Sequence, residues 1–189
     1  MRPHYNIAMT WEMLIIAVFR VAGSLPVLRW AFIGALIAML ADLGDLFVRE
    51  AIDLGGVNDY QRFDKWLDQI YMLTFLVVAL RWAAVPRNVA VTLYAYRMIG
   101  FIAFEIVGDR EILLFFPNVF EYWVVFVAGL EFFRIEFRYS RAQLALIGSV
   151  LLAGKLFQEY ALHYGQWFES FTAFEAVEAI WAFLTAPFG

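Results

Sequence analysis

The sequence predicts an all-α, polytopic integral membrane helix bundle with about five transmembrane helices and amphipathic or partial-span helices at its N- and C-termini. Three observations predict it. The 189 residues are 63% hydrophobic with a mean hydropathy of +0.70. Charged residues make up only 17%, too few to coat a soluble domain, which carries roughly 25%. The apolar residues also fall in runs near the ~20 that a helix needs to cross hydrocarbon. The length suits a single membrane domain over residues 1–189.

Residues 9–23 form a short apolar helix, read as interfacial or as a tilted partial span because it falls below spanning length. Glu12 and Arg20 interrupt its apolar run, so it is expected to stay in the mature protein. Ser24 and Pro26 read as a helix start, a capping hydroxyl followed by proline in the first turn. The first core span follows at about 27–48. Gly55-Gly56 and Asn58-Asp59 supply turn chemistry before a second span at about 60–82. Pro86 ends that helix and forces a tight turn into the third span, about 88–107. Gly108-Asp109-Arg110 is a short loop, and Pro117-Asn118 breaks the apolar stretch 111–116 before the fourth span, about 118–133. Arg134 to Arg141 is a charged turn, and the fifth span covers about 142–164. The aromatic, acidic stretch 167–185 reads as an interfacial helix or a weaker span.

Orientation follows from lysine and arginine in the short loops. Arg20 and Arg29 precede the first span, Arg81 and Arg87 bracket one turn, and Arg134, Arg138 and Arg141 lie in another. All three groups fall on one side of a five-span chain. The turns 81–87 and 134–141 are therefore expected in the cytoplasm, with the protein in the cell (inner) membrane. The net charge of −4 disfavours nucleic acid as a partner. The absence of cysteine excludes disulfides, thiolate metal sites and a catalytic thiol.

Ionisable residues inside the spans mark either helix packing or a site, since an unpaired charge in hydrocarbon costs several kcal/mol. Asp42 and Asp45 lie in the first span, Arg97 and Glu105 in the third, Glu121 at the start of the fourth, and Lys155, Glu159 and His163 in the fifth. Arg97–Phe101–Glu105 and Lys155–Glu159–His163 follow i, i+4, i+8, one helical face each. These eight residues are the candidate ligand- or ion-binding set, expected to line an outward-facing, carboxylate-rich site for an ion, proton or small solute, with Arg97 held by a carboxylate. Complete pairing of the same charges is the alternative, which makes the chain an accessory or assembly subunit. A lipid-active, metal-dependent enzyme is a second alternative, resting on the pairs Asp42/Asp45 and Asp64/Asp68. Asp64 reads more simply as part of a solvated helix turn. No residue pattern names a cofactor or a resident metal. The expected partners are the bilayer and either further copies of the chain or a larger membrane complex, because the chain is small for a stand-alone transporter.

The topology is testable in a chain without native cysteine. Arg87→Cys and Arg110→Cys, labelled with a membrane-impermeant thiol reagent in intact cells, are expected to react from opposite sides. Labelling of both from the same side contradicts the five-span arrangement.

Overall fold

The computed structural model describes residues 10–51 and 60–160, and among these every regular element is helical. The chain divides into two compact units, Met1–Trp82 and Ala83–Gly189.

In the first unit, α1 spans Trp11–Ser24, a 3₁₀ turn covers Leu25–Leu28, and α2 (Ala31–Ala51) and α3 (Tyr60–Ala79) follow. Thr10 starts α1 by accepting from the Met13 amide at 3.2 Å, which satisfies one of the donors a helix start leaves open. Ser24 ends α1 rather than opening the next helix. Its hydroxyl turns back to the Val21 carbonyl at 2.8 Å, and α2 begins only at Ala31. Pro26 sits instead at the start of the 3₁₀ turn, and its carbonyl accepts from Arg29 and Trp30. A serine before a proline suits both geometries, so the local pattern did not distinguish them.

Small residues let these segments approach. A Cβ added at Gly34 would overlap the backbone of Pro26 and Val27, and one at Gly23 would overlap the Ala41 side chain. A Cβ added at Gly44 would meet the Phe19 ring at 3.3 Å. The Arg81 guanidinium donates to the Leu28 carbonyl at 3.1 Å, which ties the end of α3 to the α1–α2 turn.

In the second unit, α4 spans Ala84–Val107, a 3₁₀ turn covers Arg110–Phe115, and α5 (Val119–Phe132) and α6 (Arg141–Glu159) follow. Pro86 lies inside the first turn of α4, where its missing N–H costs nothing. Its carbonyl accepts the buried Trp123 indole N–H at 3.0 Å, locking α5 to α4. Gly108 takes the left-handed conformation (φ 76°) that closes α4. Asp109 caps the 3₁₀ turn through the Glu111 amide. Ser140 and Gln143 form a reciprocal capping box at the start of α6. The helix bounds thus lie within a few residues of those expected for the second to fourth spans. The fifth matches at its start; its expected end and the stretch 167–185 lie outside the described residues.

Exposure is distributed inside-out. On α1, Trp11, Leu14, Ile15, Val18 and Phe19 are exposed while Glu12 and Arg20 are buried. On α2, Ile33, Leu36, Ile37, Leu40 and Leu43 are exposed, and the buried positions among the described residues are Gly34, Ala35, Ala38 and Ala41. On α6, Leu146, Val150, Leu156 and Phe157 are exposed and Lys155 is buried. Among the described residues, two segments, Trp11–Leu28 and Ala84–Val107, are long and apolar enough to cross a membrane by length and composition.

The contact at Gly34 predicts a steric cost. Gly34→Ala is expected to destabilise the protein by ~1–3 kcal/mol, the usual range for overpacking. Gly148→Ala, where an added Cβ meets nothing within 4 Å, should leave stability unchanged or raise it slightly. Thermal unfolding of both purified variants checks the contrast.

Candidate functional site

Arg20 is the centre of the first unit's polar interior. It sits on α1 one turn before the helix ends, and Glu12, Ile16 and Arg20 recur every four residues on the buried face. Its side chain is only 3% exposed. One terminal nitrogen, Nη2, donates to Asp42 of α2 and to Asp68 of α3, the latter at 2.6 Å. The other, Nη1, donates to Asp64 of α3 at 2.7 Å. Asp64 and Asp68 are one helical turn apart and so face the same side.

Lys65 completes the arrangement. Its ammonium donates to Asp64 Oδ2 at 2.7 Å and Asp68 Oδ2 at 2.9 Å. Each of these two aspartates therefore bridges the two cations, with Oδ1 on Arg20 and Oδ2 on Lys65. Oxygens from Asp42, Asp64 and Asp68 all lie within 4.8 Å of one another. Exposure rises across the cluster: 3% for the Arg20 side chain, 8% for Asp68, 16% for Lys65, 19% for Asp64 and 38% for Asp42. Arg20 closes the floor and Asp42 forms the rim.

Chemically, the cluster is an oxygen-rich, partly desolvated site with, among the described residues, three carboxylates and two cations. If all five groups are ionised it carries one net negative charge. A proton or a small hard cation neutralises that charge and finds oxygen ligands of the type it prefers. A divalent ion also suits the three carboxylates, but would compete with Arg20 and Lys65 for the oxygens they already hold.

The expected site residues separate between the two units. Asp42 is in the cluster. Asp45 lies on α2, but its side chain is outside the described residues. Arg97, Glu105, Glu121 and Lys155 belong to the second unit. There, Glu121 accepts from the Asn118 amide at 3.0 Å with both residues buried. Lys155 donates to Gln158 at 2.8 Å, and the same Gln158 oxygen accepts the Tyr122 hydroxyl at 2.9 Å. Glu105 is half-buried. The Glu159 side chain and His163 lie outside the described residues. Arg97 departs from expectation: its side chain donates to the Phe116 carbonyl at 2.8 Å, and no described carboxylate lies within 4.0 Å of it.

Three members of the cluster were misplaced or missed from sequence. Arg20 was grouped with Arg29 as a flanking basic residue, yet it is buried. Asp64 was assigned to a solvated turn, yet it binds Arg20. Lys65 was not singled out. One available signal was the i, i+4, i+8 stripe of Glu12, Ile16 and Arg20 within an apolar run, the same spacing that drew attention to Arg97 and Glu105. No family model matches the chain, and no curated protein or solved structure shows significant similarity to it.

Removing Arg20 leaves three carboxylates crowded together without their shared cation. Arg20→Ala is expected to cost ~3–5 kcal/mol, as for breaking a buried ion pair. Arg29→Ala, at an exposed position, should barely change stability. Denaturation of the two variants in the same detergent decides it; equal midpoints would refute a central role for Arg20.

Proposed function

We propose that the chain is an integral membrane protein whose aspartate cluster, Asp42, Asp64 and Asp68 around Arg20 and Lys65, binds a proton or small cation. The observation that carries this reading is the approach of three carboxylates within 4.8 Å at a site whose rim, Asp42, is 38% exposed.

The membrane part rests on the inside-out helices. Apolar side chains facing outward and ionisable ones facing inward suit a solvent that is itself apolar. Asp42 lies eleven residues into α2, which at 1.5 Å per residue is roughly 16 Å from the helix start, about half of a ~30 Å hydrocarbon core. At such depth carboxylates are costly to keep ionised, and three of them close together suit the uptake of a proton or small cation. Arg29 and Arg81 lie near the turn contact between Leu28 and Arg81. This basic end supports a cytoplasmic location for the turn at 81–87. The turn at 134–141 is proposed for the same side on the same rule. The chain is proposed to work as a homo-oligomer or within a larger membrane complex.

A second reading is favoured by a different observation: each carboxylate of the cluster already accepts from Arg20 or Lys65. On that reading the cluster only locks α1, α2 and α3 together, and the chain is an accessory subunit.

Reconstitution into liposomes separates the two. The proposal expects proton or monovalent cation flux, or cation binding, that depends on pH and that Asp42→Asn alters at unchanged fold. If the reconstituted protein moves and binds no cation, and Asp42→Asn only changes stability, the locking role stands alone.

A further inference from the structure

Arg97 lies near the middle of α4 and is only 6% exposed. Its surroundings explain one of its bonds. The 3₁₀ turn ends at Phe115 and α5 starts at Val119, so the intervening backbone has carbonyls without helical partners. α4 satisfies two of them. The Tyr96 hydroxyl donates to the Phe115 carbonyl, and Arg97 Nη1 donates to the Phe116 carbonyl at 2.8 Å. Gly100 makes room for the Phe116 side chain, which a Cβ there would overlap.

This clamp leaves part of the guanidinium unused. Arg97 Nε is buried and has no hydrogen-bond partner. The charge has no described carboxylate within 4.0 Å. A carbonyl satisfies a donor but does not neutralise a cation, and burial penalises a cation left uncompensated. The unused Nε belongs to the side-on edge of the guanidinium, which with one terminal nitrogen presents two parallel N–H donors. That edge matches the two oxygens of a carboxylate.

We propose that Arg97 binds the carboxylate group of a small ligand on this side-on edge, while Nη1 keeps its hold on Phe116. The neighbouring side chains along α4 and the 3₁₀ turn are apolar: Met98, Phe101, Phe104, Ile112 and Leu113 pack together. The ligand's remaining part is accordingly hydrocarbon. Such a carboxylate has two sources, a short-chain acid from water or a fatty acid from the bilayer. This site belongs to the second unit and does not depend on the aspartate cluster.

The test uses the full chain purified in detergent at fixed pH and ionic strength. Thermal midpoints are measured with butyrate, with a long-chain fatty acid, and with the matching neutral amides as controls. A saturable rise with a carboxylate but not with its amide is expected. A response to butyrate assigns the ligand to water, and a response to the long chain alone assigns it to the bilayer. Arg97→Lys, which keeps the charge but loses the fork, should weaken binding at least tenfold, and Arg97→Gln should abolish it. Should either variant fail to fold, photocrosslinking of the wild-type chain with a diazirine-bearing carboxylate is expected to label residues 96–100 or 115–118. The proposal is overturned by the absence of any carboxylate-specific rise, by folded variants that respond like wild type, or by labelling only elsewhere.

Discussion

The first unit depends on one buried cation. Arg20 projects from α1 into a space where α2 supplies Asp42 and α3 supplies Asp64 and Asp68. One contact ties α1 to α2 and two tie α1 to α3, so the guanidinium fixes axial position as well as association. Sliding any of the three helices by one turn would move a carboxylate about 5.4 Å from its nitrogen. The desolvation of Arg20 makes that displacement costly, because a buried charge without its partner is worse than no charge. The close approaches at Gly23 and Gly44 follow from the same constraint: α1 and α2 must run near enough for a side chain on one to reach Asp42 on the other. Residues without bulk at Gly23, Ala38 and Ala41 permit this.

The second unit answers a related problem with different chemistry. The chain there departs from helix between Phe115 and Val119, and Tyr96 and Arg97 donate to the carbonyls this frees. Non-helical backbone in an apolar setting persists only where protein groups satisfy it. Pro117 cannot contribute an N–H, so the break is intrinsic to the sequence, and α4 carries the donors that stabilise it. Trp123 makes a corresponding bond to Pro86 at the other end of α4. In both units buried polar groups hold backbone or each other beside an apolar core that includes Ile16, Phe75 and Phe120, while further large apolar side chains are exposed.

Much of the helix plan was legible because its signals are local. Gly108 and the Pro117-Asn118 break each act on their own neighbourhood, and helices end or begin beside them; Pro86, expected to end the second span, instead lies in the first turn of α4, and α3 ends earlier, at Ala79. The Ser24–Pro26 pair misled because the same two residues serve equally as a helix cap and as the start of a 3₁₀ turn. The site was less legible. Depth along a helix can be read from sequence, but the partner of a charge depends on which faces of two helices meet. Asp42 stands out by its place in an apolar run, whereas its partner Arg20 lies 22 residues earlier in a run shorter than a span needs. Counting Arg20 as a loop charge removed it from the interior. Asp64 was then left near the polar start of its helix with no evident partner, and solvent was the natural assignment.

The exposure gradient and the contacts distinguish the three aspartates. Asp64 and Asp68 each bridge Arg20 and Lys65, so neutralising either one loosens two cations at once. Asp42 contacts Arg20 from another helix and is the most exposed of the three. On the proposed reading, charge uptake at the rim acts on the α1–α2 contact while the α1–α3 contact keeps two carboxylates on Arg20. A cluster built this way retains its frame when one charge is neutralised. A single buried Arg–Asp pair could not do so, because neutralising its one acid would leave the arginine uncompensated. On the proposed reading, the third carboxylate is what gives the cluster this tolerance.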